Sequence, residues 1–245
     1  MKEISLIFIT FSLVTAHVTG DWFNILSSRE IADEGLNRLA SSEDTRIVGG
    51  YEPARNSIPY VAVYRTMFNE SEWDYCEASL ISTRYVLTVA HCLMDNFSWL
   101  EVVLGAHNYY NNEPTQQTIR TTTFKVHEQF SKATLENDLG VIYLPTPAKI
   151  NRYVQLIALP SRADASNSFA GSKAIMCGWG DTSDNAVALN VILRCVNVTI
   201  LTNDKCNEVA SGFINSNICT SGSGKKGACF GDSGGPLVTS NKLIT

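Results

Sequence analysis

Residues 85–92 read YVLTVAHC. Val86, Leu87, Thr88 and Val89 stand in succession, and side chains branched or bulky near the backbone fit a pleated strand better than a helix. The run ends in His91 with Cys92 directly behind it. A strand end braced by a covalent bond is a good place to hold an imidazole still, and Cys92 could make that brace with Cys76.

Runs of the same character recur along the chain. They are YVAVYRT (60–66), WLEVVLGAHN (99–108), QTIRTTTFKVH (117–127), LGVIYL (139–144), SKAIMCGWG (172–180) and LRCVNVTIL (193–201). Short β-rich runs bounded by turn residues predict an antiparallel barrel or sandwich rather than alternating strand and helix units. The best helix signal is TNDKCNEVA (202–210), whose first residues can cap a turn. A linker is expected within RYVQLIALPSRADASNS (152–168), where Pro160 and small polar residues follow an apolar run.

The chain has 245 residues, 44% hydrophobic and 18% charged, which is enough for one large core or two smaller ones. A net charge of −5 offers no basic footprint for nucleic acid and no polybasic membrane anchor. The opening MKEISLIFITFSLVTAHVTG carries one lysine, an apolar stretch from Ile4 to Ala16, and small residues suited to cleavage after Ala16 or Gly20. It reads as a secretory signal, residues 1–16 or up to 20, too short and polar for a membrane span. Export would place the cysteines at 76, 92, 177, 195, 206, 219 and 229 in an oxidising compartment, where pairing is the rule. Their number is odd, so one lacks a partner within this chain. No CxxC or HExxH occurs, so no metal is expected. Asn69, Asn96 and Asn197 head Asn-x-Ser/Thr triplets that can accept glycans in an exported protein.

Near the end stands GACFGDSGGPL (227–237). A nucleophilic serine needs a base, a group to orient that base, and donors for the developing oxyanion. Glycines around Ser233 let the backbone turn tightly and aim N–H groups at one point, with Gly231 and Ser233 as the expected donors. Of the histidines, His17 falls in the leader, while His107 and His127 are expected in exposed polar segments. His91 is the candidate base. Asp138, at the head of LGVIYL, is the candidate orienting carboxylate, with Glu136 pointing away.

IVGG (47–50), LTVAHC (87–92), NDLGVIYL (137–144), GWG (178–180) and GDSGGPL (231–237) together resemble the chymotrypsin-like serine endopeptidases, in order and in approximate spacing, over residues 47–245. LGAHNYYNNEPTQQ and ICTSGSGKKGACFGDSGGPLV are similar to the arthropod chymotrypsin and collagenolytic branch. The resemblance implies an all-β fold of two antiparallel six-stranded β-barrels with the site in the cleft between them. It also implies a catalytic set of His91, Asp138 and Ser233, requiring no cofactor. Residues 17–46 would be an activation propeptide, cut by a trypsin-like protease after Arg46. The new amino group of Ile47 would then pair with Asp232.

The same resemblance puts Gly227 at the floor of the specificity pocket, where a trypsin-like enzyme has a carboxylate. Apolar or aromatic substrate side chains are therefore expected, with Phe230 at the pocket mouth. Family bridges correspond to Cys76–Cys92 and Cys206–Cys219, and adjacent strands could join Cys177 to Cys195. Substrates would be proteins or peptides, with neither nucleic acid nor membrane as partner, and the enzyme a secreted monomer. The chain departs from the family at Glu77 and Ala78, where two glycines are usual. It also stops soon after Ser233, so it reads as a fragment lacking part of the second barrel. The rival reading is a non-catalytic homologue serving as a binding or regulatory module.

Overall fold

The computed structural model describes residues 50–180, 190–209, 217–223, 227–228 and 231–244. Seven strands make the first sheet: β1 (Val61–Met67), β2 (Trp73–Ser82), β3 (Tyr85–Thr88), β4 (Trp99–Leu104), β5 (Gln117–Thr121), β6 (Phe124–Val126) and β7 (Gly140–Tyr143). All pairs are antiparallel, in the order β5-β4-β1-β2-β3-β7-β6. The outermost members, β5 and β6, are parted only by Thr122 and Thr123, so the two ends of the sheet meet and close it. Counted as one bent strand, they make this a curled sheet of six strands, the barrel-like half that the resemblance implies.

Alternation along the strands decides what fills the barrel. Ala62 and Tyr64 of β1 point inward with Leu100, Val102 and Leu104 of β4, Leu80 of β2 and Ile142 of β7. Val61, Val63 and Val103 point outward, yet they too are buried, because they pack against Trp179, Leu193 and Cys195 of the second lobe. A second contact between the lobes joins Leu87 and Leu139 to Val238 and Leu243. Full burial of side chains of this size contributes about 1.5–3 kcal/mol each.

The second lobe has β8 (Lys173–Gly178), β9 (Arg194–Thr199), β10 (Leu237–Thr239) and β11 (Lys242–Leu243), again antiparallel, in the order β11-β10-β8-β9 among the described residues. Met176, Val196, Val198, Leu237 and Ile244 form its core. The architecture is all-β, as the resemblance implies. The predicted helix is α1 (Asn203–Val209). Thr202 caps it: its hydroxyl accepts the Lys205 N–H at 3.3 Å and its carbonyl the Cys206 N–H at 3.0 Å. Between the sheets, 152–168 is mostly irregular, with one 3-10 turn at Arg162–Asp164 held by a Ser161–Asp164 capping box.

Disulfides join Cys76 to Cys92, Cys177 to Cys195 and Cys206 to Cys219. The expectation that His107 is exposed fails. His107 is only 2% exposed, because its Nε2 lies 2.9 Å from Glu52 Oε1 and its backbone N–H donates to Glu113 Oε2 at 2.7 Å. His127 is half-buried, its N–H donating to the Leu139 carbonyl. The signal, the leader and the Arg46–Ile47 junction lie outside the described residues. Among the described residues no helix is long and apolar enough to cross a membrane.

Candidate active site

β3 ends at Thr88, and His91 opens a one-turn 3-10 helix, His91–Leu93. The histidine thus sits just past the strand rather than on its last residue. The turn is braced to β2 by the Cys76–Cys92 bond. Asp138 precedes β7, the strand paired with β3, so antiparallel pairing brings it alongside. The carboxylate grips His91 twice: the backbone N–H donates to Oδ1 at 2.8 Å, and ring Nδ1 lies 2.7 Å from Oδ2. Asp138 is buried, at 3% exposure, whereas the His91 side chain is 39% exposed. An acceptor on Nδ1 selects the tautomer that donates there, leaving Nε2 as the basic nitrogen. Glu136, two residues earlier, points into solvent.

Ser233 lies on the second lobe, in a turn that requires glycine. Gly231 and Gly234 have φ of 93° and 82°, in the left-handed region. A Cβ on Gly234 would stand 2.2 Å from the Glu77 carbonyl and 2.4 Å from Thr88 Oγ1; one on Gly231 would stand 2.4 Å from the Tyr75 hydroxyl. The turn is therefore pressed directly onto β2 and β3. The Glu77 N–H donates to the Ser233 carbonyl at 2.8 Å, and the Thr88 hydroxyl donates to the Glu77 carbonyl at 2.7 Å. The Tyr64 hydroxyl lies 3.1 Å from Thr88 Oγ1 and donates to it, the Thr88 proton being engaged. Burial, with Asp138 nearby, pushes the Tyr64 phenol well above its usual range. Ser233 is thus tied through Glu77 to Thr88, three residues before His91.

Asp232 is buried, and its Oδ1 accepts the Gly180 N–H at 2.8 Å. Gly227 is buried as well. Phe230, Arg46 and Ile47 lie outside the described residues. Among the described residues no group of three or more His, Cys, Asp or Glu side chains is placed to hold a metal. The three sequon asparagines, Asn69, Asn96 and Asn197, are all exposed.

One residue escaped the sequence reading except as a departure from pattern. Glu77, in the middle of β2, is fully buried. Its Oε1 accepts the Trp179 N–H, while Oε2 has no hydrogen-bond partner. Burial, then the neighbouring charge of Asp232, pushes this carboxyl well above the ordinary carboxylate range; the Trp179 N–H opposes the shift. A lone glutamate in a β-run carries no sequence signal for this.

These features define a two-lobed, all-β scaffold, and comparison with known proteins makes the class specific. Residues 47–245 match the trypsin family, and the chain belongs to it. It is 41% identical over 191 residues to brachyurin of Leptuca pugilator, covering 78% of this chain and 80% of that protein. It is 35% identical over 239 residues to chymotrypsin of Phaedon cochleariae, covering 98% and 86%. Among solved structures, "Structure of GrC" superimposes with a TM-score of 0.72 at 32% identity, covering 80% of this chain and 86% of that one. The chain is a serine endopeptidase of the chymotrypsin-like arthropod branch, and its substrates are proteins or peptides.

Proposed function

We propose that the protein is a secreted endopeptidase, made as a zymogen, that cuts peptide bonds through Ser233, His91 and Asp138. The observation that carries this reading is the double hydrogen bond from His91 to the buried Asp138. Ser233 would attack the peptide carbonyl while His91 takes its proton and later returns it to the leaving amine. Asp138 would hold the imidazole's tautomer and stabilise its cation. The N–H groups of Gly231 and Ser233 would bind the tetrahedral oxyanion, a contribution of roughly 10²–10³ in turnover per donor.

In this reading residues 1–16, or up to 20, direct export and residues 17–46 hold the enzyme inactive, with the protease domain beginning at Ile47. A trypsin-like protease cuts after Arg46, and the Ile47 ammonium then pairs with Asp232. A buried Gly227 at the pocket floor puts no carboxylate opposite a basic side chain, which favours apolar or aromatic residues at the cut. The enzyme acts as a monomer. Brief trypsin treatment of the purified protein is expected to produce activity on peptides with an aromatic or leucine side chain at the cut, and Arg46→Gln to stay silent. Full activity of Arg46→Gln would overturn the activation step.

A further inference from the structure

We propose that Glu77 and Asp232 together form a two-carboxylate seat for a primary ammonium group, which this chain supplies from Ile47 once the bond after Arg46 is cut. The inference rests on the activation reading above and adds to it a second acceptor.

Asp232 Oδ1, Glu77 Oε2 and Glu77 Oε1 lie 2.3, 2.4 and 2.5 Å from the point where a Cβ on Gly178 would stand. Two carboxyl groups therefore converge over the bare face of one glycine. Gly235, whose Cβ would meet Glu77 Oε2 at 2.4 Å, closes the other side. Glu77 has no exposed surface, so water does not screen it. Its Oε2, unpartnered and buried beside another carboxylate, is an acceptor without a donor. Such an oxygen is costly unless it meets a hydrogen or a cation.

The polar and titratable groups that face Glu77 from the elements packed on it are few among the described residues. The 231–235 turn brings Asp232. β3 brings the Thr88 hydroxyl, with the Tyr64 phenol of β1 behind it. The end of β8 brings the Trp179 N–H. None of these is a cation, and an α-ammonium has three donors to share between two carboxylates. Burial and then Asp232 hold the Glu77 carboxyl well above the ordinary carboxylate range; a docked ammonium opposes that shift and ties the turn carrying Ser233 to β2 by charge as well as by hydrogen bonds.

The test is the rise in melting temperature on cleavage after Arg46, measured from pH 6 to 10 for wild type, Glu77→Gln and Glu77→Gly, the last restoring the residue usual in the family. Expected is a gain in wild type that is cut by about half in both variants. It should also vanish at a pH about one unit lower, as loss of a neighbouring charge predicts for an ammonium. An equal gain with an unchanged midpoint in both variants would overturn the role of Glu77. Carbamylation of the new amino group should abolish the gain in all three proteins. If the gain survives carbamylation, the Ile47 reading itself fails, an outcome distinct from failure of Glu77 alone.

Discussion

Two buried carboxyl groups, Asp138 and Glu77, live under opposite conditions. Asp138, 3% exposed, meets two donors on His91, one on each oxygen. Glu77, 0% exposed, meets one N–H on one oxygen, none on the other, and a second carboxylate nearby. Burial is nearly the same for both, so burial does not decide their roles. The donors do. One carboxylate is built to hold an imidazole, and the other is left short of a partner.

The largest expected effect comes from removing the charge on the well-partnered side. Asp138→Asn should lower turnover by about 10⁴ while leaving the fold intact, since the amide keeps the shape but supplies the wrong tautomer partner. Glu77→Gln is expected to leave neutral-pH turnover far closer to wild type. A fall in Glu77→Gln as deep as in Asp138→Asn would erase the distinction between the two groups.

The next effect is one of stability and pH in the uncleaved protein. The folded Glu77 carboxyl lies well above its ordinary value of 4.5, so stability is fully present below that value. As pH rises, the unfolded chain releases a proton that the folded chain retains, and stability is lost until the folded carboxyl also ionises. Glu77→Gln should flatten this slope and gain about 1–3 kcal/mol at alkaline pH, the usual cost of an unsatisfied buried polar group. Parallel melting curves against pH for the two proteins would show that Glu77 finds a donor in the fold.

The smallest effect tests the link between the two sides. Thr88 donates to the Glu77 carbonyl and receives the Tyr64 hydroxyl, so Thr88→Val should cost about 1 kcal/mol by thermal melting, with kcat falling more than KM rises. A change in KM alone would detach Thr88 from the placement of the serine turn.

Much of this arrangement was legible in the sequence, and the part that was not has a physical cause. β-branched runs located β1, β3, β4, β7, β8 and β9, and Thr202 marked the start of α1. The run 117–127 read as one segment but bends at Thr122–Thr123, where it passes from β4 to β7 as a pairing partner. β2, central in the first barrel, went unread because WDYCEASLIS mixes aromatic, acidic and small residues without alternation. It lies between β1 and β3, and the turn that carries Ser233 packs onto it. Its polar Glu77 and Ser79 are both fully buried there, which inverts the usual inside-outside rule. His107 misled for a similar reason. A polar neighbourhood suggested exposure, but Glu52 arrives from 55 positions away to partner the ring's Nε2 inside the protein.

The candidate site residues were chosen from their chemistry and order, and the geometry adds the grip of Asp138 on His91. Glu77 could be read only once the turn at 231–235 was placed against it, because its significance lies in what surrounds it.

The most direct measurement is labelling of the cleaved protein with a serine-directed phosphonate, followed by mass spectrometry of the modified peptide. A single adduct on Ser233, lost in His91→Ala and strongly slowed in Asp138→Asn, is the expected result. No adduct on Ser233 in fully cleaved, folded protein would contradict the catalytic reading and leave a protease fold serving as a binding module.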